Sequence, residues 1–211
     1  MKIIEVFSSM QGEGMHVGRK AIFVRTWGCS KECSFCDTPG INDELYEKEM
    51  LVTDIIGELF EIREKTGINL VIITGGEPTE QAMELNQLAR GLAERDFELH
   101  LETNGTGKGV NYALFDHVTL CPKDNDVQLD AILKAQSVEI KILCDISNPE
   151  DAIQLYQGLG ADEDIPVTVQ PLIENDNEAL EAYEDLVQKD PFKQFNFVRY
   201  LPQLHKIIEV R

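Results

Sequence analysis

Ala21-Ile22-Phe23-Val24-Arg25-Thr26-Trp27-Gly28-Cys29-Ser30-Lys31-Glu32-Cys33-Ser34-Phe35-Cys36 joins a buried strand to a thiol-rich loop. The run 21–27 is mostly apolar, which suits a strand covered on both faces. From its C-terminal end it delivers three cysteines at Cys-x3-Cys-x2-Cys spacing, and parallel barrels and open α/β sheets carry their active sites at that end. Cysteine thiolates hold iron–sulfur clusters, and a cluster of four irons ordinarily takes four. Cys29, Cys33 and Cys36 are only three, with no fourth close by in sequence. One iron is left open, as a catalytic metal site keeps one position free. A structural zinc site would want four N/S ligands in a closed tetrahedron, and His16 stands at a spacing unlike any finger or ribbon. An odd count of five cysteines without a signal peptide argues against a disulfide framework.

On either side of this stretch, strands and helices alternate. Residues 2–7 read as a strand leading into Gln11-Gly12-Glu13-Gly14, whose two glycines suit a tight turn or a close backbone approach to a ligand. Residues 40–51 are polar without periodicity and are expected to form a loop. Thr53 is placed to cap a helix with Ile56, Leu59 and Phe60 on one face and Gly67 at its end. Leu70 to Thr74 is a short buried strand running into Gly75-Gly76-Glu77-Pro78. Pro78 suits a first helical turn, with Leu85, Leu88, Ala89 and Leu92 forming an apolar face behind it. Phe97 to Glu102 alternates apolar and polar residues and ends in Thr103-Asn104-Gly105. A strand over 116–121, with room for only a short helix before it, ends in Cys121-Pro122-Lys123.

Val138 to Leu143 is the next strand. Ser147 and Glu150 have the spacing of a capping box, ahead of a helix face of Ala152, Leu155, Tyr156 and Leu159. Ile165 to Gln170 is a sixth core strand. Leu180, Tyr183 and Val187 mark a last helix, Phe195 to Leu201 a final strand, and Pro202-Gln203-Leu204-His205-Lys206 follows. Repeated βα units imply a parallel sheet with right-handed crossovers. Six core strands do not complete an eight-stranded barrel, so the expected α/β architecture is a partial, open TIM-like barrel in one domain spanning residues 1–211, with the open side admitting substrate.

Composition narrows the function. An apolar fraction of 43% and a charged fraction of 27% are ordinary for a soluble globular protein. No apolar run approaches the roughly 20 residues of a membrane span, and Met1 to Phe7 reads directly into a strand instead of a targeting peptide. Thiols that must stay reduced point to the cytoplasm. A formal net charge of −19 argues against nucleic acid, whose phosphates are bound through Lys and Arg. An anionic small molecule can bind only at a local basic pocket set against that field.

With Phe35 between its last two cysteines, the loop resembles the signature of the radical S-adenosylmethionine superfamily. The resemblance implies a 4Fe-4S cluster whose open iron takes S-adenosylmethionine. Gly75-Gly76-Glu77-Pro78 is similar to the glycine-rich motif that holds the methionine amino group. Glu102-Thr103-Asn104-Gly105 is similar to a strand end that contacts the ribose, and an exposed polar turn explains it equally well. Gln11-Gly12-Glu13-Gly14, Arg25, Asp37-Thr38 and Pro202 to Lys206 go further. Together, and over essentially the whole chain, they resemble the 7-carboxy-7-deazaguanine synthase family.

That resemblance implies ring contraction of 6-carboxy-5,6,7,8-tetrahydropterin with loss of ammonia, in 7-deazapurine biosynthesis. It places the cluster on Cys29, Cys33 and Cys36 and assigns Mg2+ to the Thr38 hydroxyl. S-adenosylmethionine falls to Phe35, Asp37, Gly75, Gly76, Glu77, Glu102, Asn104, Cys121, Pro122, Lys123 and Gln170. The pterin falls to Met10, Gln11, Gly12, Glu13, Arg25, Thr74, His205 and the α-carboxylate of Arg211. A flavodoxin- or ferredoxin-type electron donor and a homodimer are implied as well. One departure is Cys121, which stands where relatives usually carry serine, and a thiol is the weaker hydrogen-bond donor. Cys144 fits no ligand pattern and reads as a buried apolar residue. An activase that installs glycyl radicals shares the cysteine spacing but needs neither the Gln-Gly-Glu-Gly turn nor the His-Lys segment. A simple electron carrier would ordinarily use four cysteines.

Overall fold

The computed structural model describes residues 1–36, 38, 41–172 and 178–208. Its elements are β1 (Lys2–Met10), β2 (Lys20–Thr26), β3 (Lys48–Glu49), α1 (Val52–Thr66), β4 (Leu70–Gly75), α2 (Ala82–Ala93), β5 (Glu98–Thr103), β6 (His117–Leu120), α3 (Leu129–Ile132), β7 (Val138–Cys144), α4 (Pro149–Gly158), β8 (Val167–Pro171), α5 (Ala179–Lys189), β9 (Val198–Tyr200) and α6 (Leu204–Ile207). They build one nine-stranded sheet in the order β3-β1-β2-β4-β5-β6-β7-β8-β9. From β2 to β9 every pairing is parallel. The six expected core strands are therefore neighbours in sequence order, and the short β9 makes a seventh. β1 runs antiparallel to β2, with β3 on its outer edge.

The two faces of the sheet differ in chemistry. On one, Ile22, Val24, Val71, Ile73, Leu99, Leu101, Val118, Ile140, Ile142, Val167 and Val169 join Ile55, Leu59, Leu85, Leu88 and Leu92 of the helices in the main core. On the other, Ala21, Phe23, Leu70 and Ile72 pack with Phe7 in a smaller cluster. The remaining alternate positions there are polar and buried: His100, His117, Thr119, Glu139, Lys141, Thr168 and Gln170. Parallel strands with both faces covered ordinarily read as unbroken apolar runs. The alternation in β5 and β7 marks a polar interior in place of a solvated face.

Several local expectations are corrected. Residues 44–46 form a 3-10 turn and Lys48–Glu49 the edge strand β3, where a plain loop was expected. Helix α1 begins at an N-cap of Leu51 without a side-chain cap, and Thr53 lies inside it. Just ahead of it, Met1 and Met50 exchange backbone hydrogen bonds of 2.9 and 3.0 Å. No capping box forms before α4. Ser147 donates to Asp145 and Asn148 to Asp151, while Pro149 opens the helix. In α5 Leu186 is buried, and Leu180 and Val187 are exposed. Cys144 is fully buried, as a small apolar residue would be.

Candidate functional site

A cavity of about 950 Å³ opens at the C-terminal ends of the parallel strands. The cysteine loop forms one wall. Gly28 N–H donates to Ile41 O, and Asn42 grips Cys29 twice, accepting from its N–H at 2.9 Å and donating to its carbonyl at 3.1 Å. Glu80 accepts from Ser30 N–H at 2.9 Å, and Lys31 pairs with Asp124 at 2.5 Å, tying the loop to the turn after β6. Cys29, Cys33 and Cys36 all line the cavity as free thiols. Burial pushes the Cys29 thiol up from its ordinary pKa.

The glycine pair seats this loop. A Cβ on Gly75 would strike the backbone of Thr26, and one on Gly76 the carbonyl of Gly28. Gly76 N–H donates to Thr26 O and Glu77 N–H to Gly28 O, at 2.9 and 2.8 Å. Glu77 itself is 1% exposed and accepts from Thr79 N–H, Thr79 Oγ1, Thr103 Oγ1 and Asn104 N–H. Its carboxylate, expected to meet an ammonium, is thus engaged with the protein's own donors. Burial pushes its pKa up. Thr103 and Asn104 are buried as well, which excludes the exposed-turn reading of that segment.

The connection after β1 forms the floor. Because β1 is antiparallel to β2, this connection enters from the N-terminal end of the parallel strands and pushes its polar side chains up into the cavity. Gln11 Nε2 donates to Glu102 at 2.7 Å, and Thr74 Oγ1 donates to the other oxygen of Glu102 at 2.9 Å. Glu102 therefore sits among the residues expected at the pterin. Glu13 is held by Lys141 and by Gln203 Nε2 at 2.7 Å, with His205 Nδ1 at 3.9 Å. Burial raises the Glu13 pKa, but the Lys141 ammonium outweighs it and keeps the carboxyl well below the usual range. Leu204 N–H donates to Gly12 O at 2.9 Å, and a Cβ on Gly12 would collide with His205. On the opposite wall, Arg25 Nε pairs with Glu5 at 3.0 Å and Nη1 donates to Thr38 Oγ1 at 3.4 Å.

The cavity thus gathers Met10 to Glu13, Arg25, the three cysteines, Phe35, Thr38, Thr74 to Glu77, Glu102, Asn104, Cys121, Lys123 and His205. Lys123 Nζ donates to Cys121 Sγ at 3.2 Å and lies 5.5 Å from the centre of the Phe35 ring. Pro122 and Gln170 are buried and do not line it; both amide atoms of Gln170 lack a partner among the described residues. Asp37 and Arg211 lie outside the described residues.

Two buried charges on β7 were not anticipated. Lys141 reaches Glu13, and Glu139 accepts from Met15 N–H at 2.9 Å, Thr119 at 3.0 Å and Thr168 at 2.9 Å. The signal was present in Val138-Glu139-Ile140-Lys141-Ile142: charges at alternate positions of a central strand have no solvent face to occupy. Beneath the floor, the rings of His16, His100 and His117 lie 4.3–5.1 Å apart, flanked by Glu98 and Glu139.

The donor set fits a cluster and its nucleoside ligand. Three free thiols on one loop line one cavity, and the glycine pair brings bare backbone against that loop. Among the described residues no group of three or more His, Cys, Asp or Glu side chains is already drawn together around a metal position.

The profile of the radical SAM superfamily matches residues 23–110. The 7-carboxy-7-deazaguanine synthase of Bacillus subtilis is 32% identical over 98% of this chain and 95% of its own length. That of Rickettsia prowazekii is 31% identical over 90% and 80%. The crystal structure of QueE from Escherichia coli superposes with a TM-score of 0.65 at 26% identity, covering 90% of each chain.

Proposed function

The chain belongs to the 7-carboxy-7-deazaguanine synthase family of the radical SAM superfamily, and from that premise we propose how its residues divide the work. The reaction is the conversion of 6-carboxy-5,6,7,8-tetrahydropterin to 7-carboxy-7-deazaguanine with loss of ammonia, a step of 7-deazapurine and queuosine biosynthesis. Cys29, Cys33 and Cys36 hold a 4Fe-4S cluster, which when reduced supplies the electron that cleaves the sulfonium bond of S-adenosylmethionine. Gly75, Gly76 and the backbone around Glu77 receive the methionine end, with Glu77 bracing the turn from behind. Phe35, Asp37, Asn104, Cys121 and Lys123 flank the nucleoside, with Pro122 and the Gln170 amide buried behind the lining.

The pterin lies on the floor. Its amide- and guanidine-like edge needs acceptors and donors together, and Gln11, Glu13, Glu102, Thr74 and His205 supply both. Met10 and Gly12 shape the floor. The Arg25 guanidinium faces the substrate carboxylate, since a planar fork suits a carboxylate bidentately. Thr38 offers its hydroxyl oxygen to Mg2+ beside it, a hard cation that prefers oxygen. A flavodoxin- or ferredoxin-type donor in a reducing cytosol, a homodimer and a single domain complete the reading.

One observation carries this assignment: the cysteine loop and the acceptor-rich floor line the same cavity. Anaerobic incubation with 6-carboxytetrahydropterin, S-adenosylmethionine and a reductant is expected to yield a product of the mass of 7-carboxy-7-deazaguanine. The Cys29→Ala variant is expected to lose the cluster and all reductive cleavage. Full activity in that variant would end the reading.

A further inference from the structure

We propose that Lys141 is a positioning residue for the pterin, acting through Glu13, whose carboxylate it holds as a hydrogen-bond acceptor. The proposal rests on the substrate reading above. Lys141 lies within β7, 6% exposed, with its ammonium on Glu13 Oε2. Gln203 holds the other oxygen at 2.7 Å. An ammonium this deep is costly unless paired, and removing one partner leaves the other charge uncompensated. A carboxylate has about four acceptor positions, so the two protein contacts leave capacity toward the cavity that Glu13 lines.

The ligand chemistry explains why the charge state matters. A pterin presents N–H donors on its pyrimidine edge, and a carboxylate can accept two of them in parallel. A protonated Glu13 would oppose an O–H donor to an N–H donor. Glu13 is faced by Lys141 from β7 and by His205 from α6. Lys141 is faced in turn by Glu13, by Glu102 of β5, and by Cys121 and Lys123 after β6. Glu13 and Glu102 thus share one cavity, with the Lys141 ammonium electrostatically linked to both. Without it, burial drives the Glu13 carboxyl toward its neutral form.

The test is the Lys141→Met variant in the cluster-loaded enzyme. KM for the pterin is expected to rise about tenfold or more, with kcat within about threefold of native, because the lost term is a charge-assisted contact. Iron content and S-adenosylmethionine cleavage without pterin should stay native. The pH profile of kcat/KM should gain an acid limb between about pH 5.5 and 8, where the native profile is flat in this respect. Unchanged KM with an unchanged profile overturns the proposal.

If Lys141→Met does not fold, Glu13→Gln is compared with Glu13→Gln/Lys141→Met, which leaves no unpaired charge at this pair. KM values within about twofold support action through Glu13, and a further tenfold rise overturns it. A native enzyme that converts the pterin while Lys141→Met matches it overturns this inference alone. A native enzyme without affinity for the pterin overturns both readings.

Discussion

His100 is built to stay neutral. It is 3% exposed, bonded to Glu98 at 3.0 Å, and packed against two other imidazoles. Burial, then His16 and His117, lower its pKa from 6.5 to about 4. The unfolded chain takes up that proton first as pH falls, so this contribution to stability is complete above about pH 6.5 and lost as pH drops toward 4. Carboxylates held low, such as Glu98 and Glu139, lose theirs only below about 4.5. The thermal midpoint is therefore expected to fall already between pH 6.5 and 4.5, and His100→Gln to flatten that slope; scanning calorimetry across the window decides it. At this scale the sequence was uneven. The cysteines announce themselves by spacing and Gln11-Gly12-Glu13 only through the family resemblance, whereas Lys141 becomes legible only once β7 is known to lack a solvent face. The full engagement of Glu77 could not be read, since beside the neighbouring Thr79 its partners Thr103 and Asn104 are distant in the chain.

The turn after β4 makes the same point for elements. Its glycines resemble a ligand-binding motif, yet the structure shows that they also let the turn press against the backbone of Thr26 and Gly28. Gly76→Ala forces that contact apart at a cost of about 1–3 kcal/mol, and the displaced neighbour is the loop that carries the thiols. The variant is expected to retain its far-UV dichroism but incorporate about half the native iron or less, measured per chain after anaerobic reconstitution. Native iron content would show that the loop tolerates the shift. Strands and helices were mostly legible because apolar periodicity reports the main core, as in Leu85, Leu88, Ala89 and Leu92 of α2. Helix starts were less so. Capping patterns at Thr53 and Ser147 gave way to other contacts: Met1 with Met50 just ahead of α1, and Ser147 with nearby Asp145 ahead of α4.

Over the whole molecule, a net charge of −19 sets surface carboxylates against one another. Added monovalent salt screens that repulsion, so the thermal midpoint should rise by about a few degrees between low and physiological ionic strength. A midpoint that falls with salt would mean that ion pairs such as Lys31 with Asp124 outweigh the repulsion. No helix among the described residues is long and apolar enough to cross a membrane. The floor has a consequence in time as well as in space. Glu13 and Gln203 lie 190 positions apart, yet they meet in one hydrogen bond. During synthesis all nine strands precede Gln203 and His205, so a nascent chain can lay down its whole sheet while its substrate pocket is still unfinished. A chain cut after Leu201 is expected to keep native far-UV dichroism and its cluster but to bind no pterin in equilibrium titration. Closure of the floor, and not sheet formation, then marks the moment at which the molecule can take its substrate.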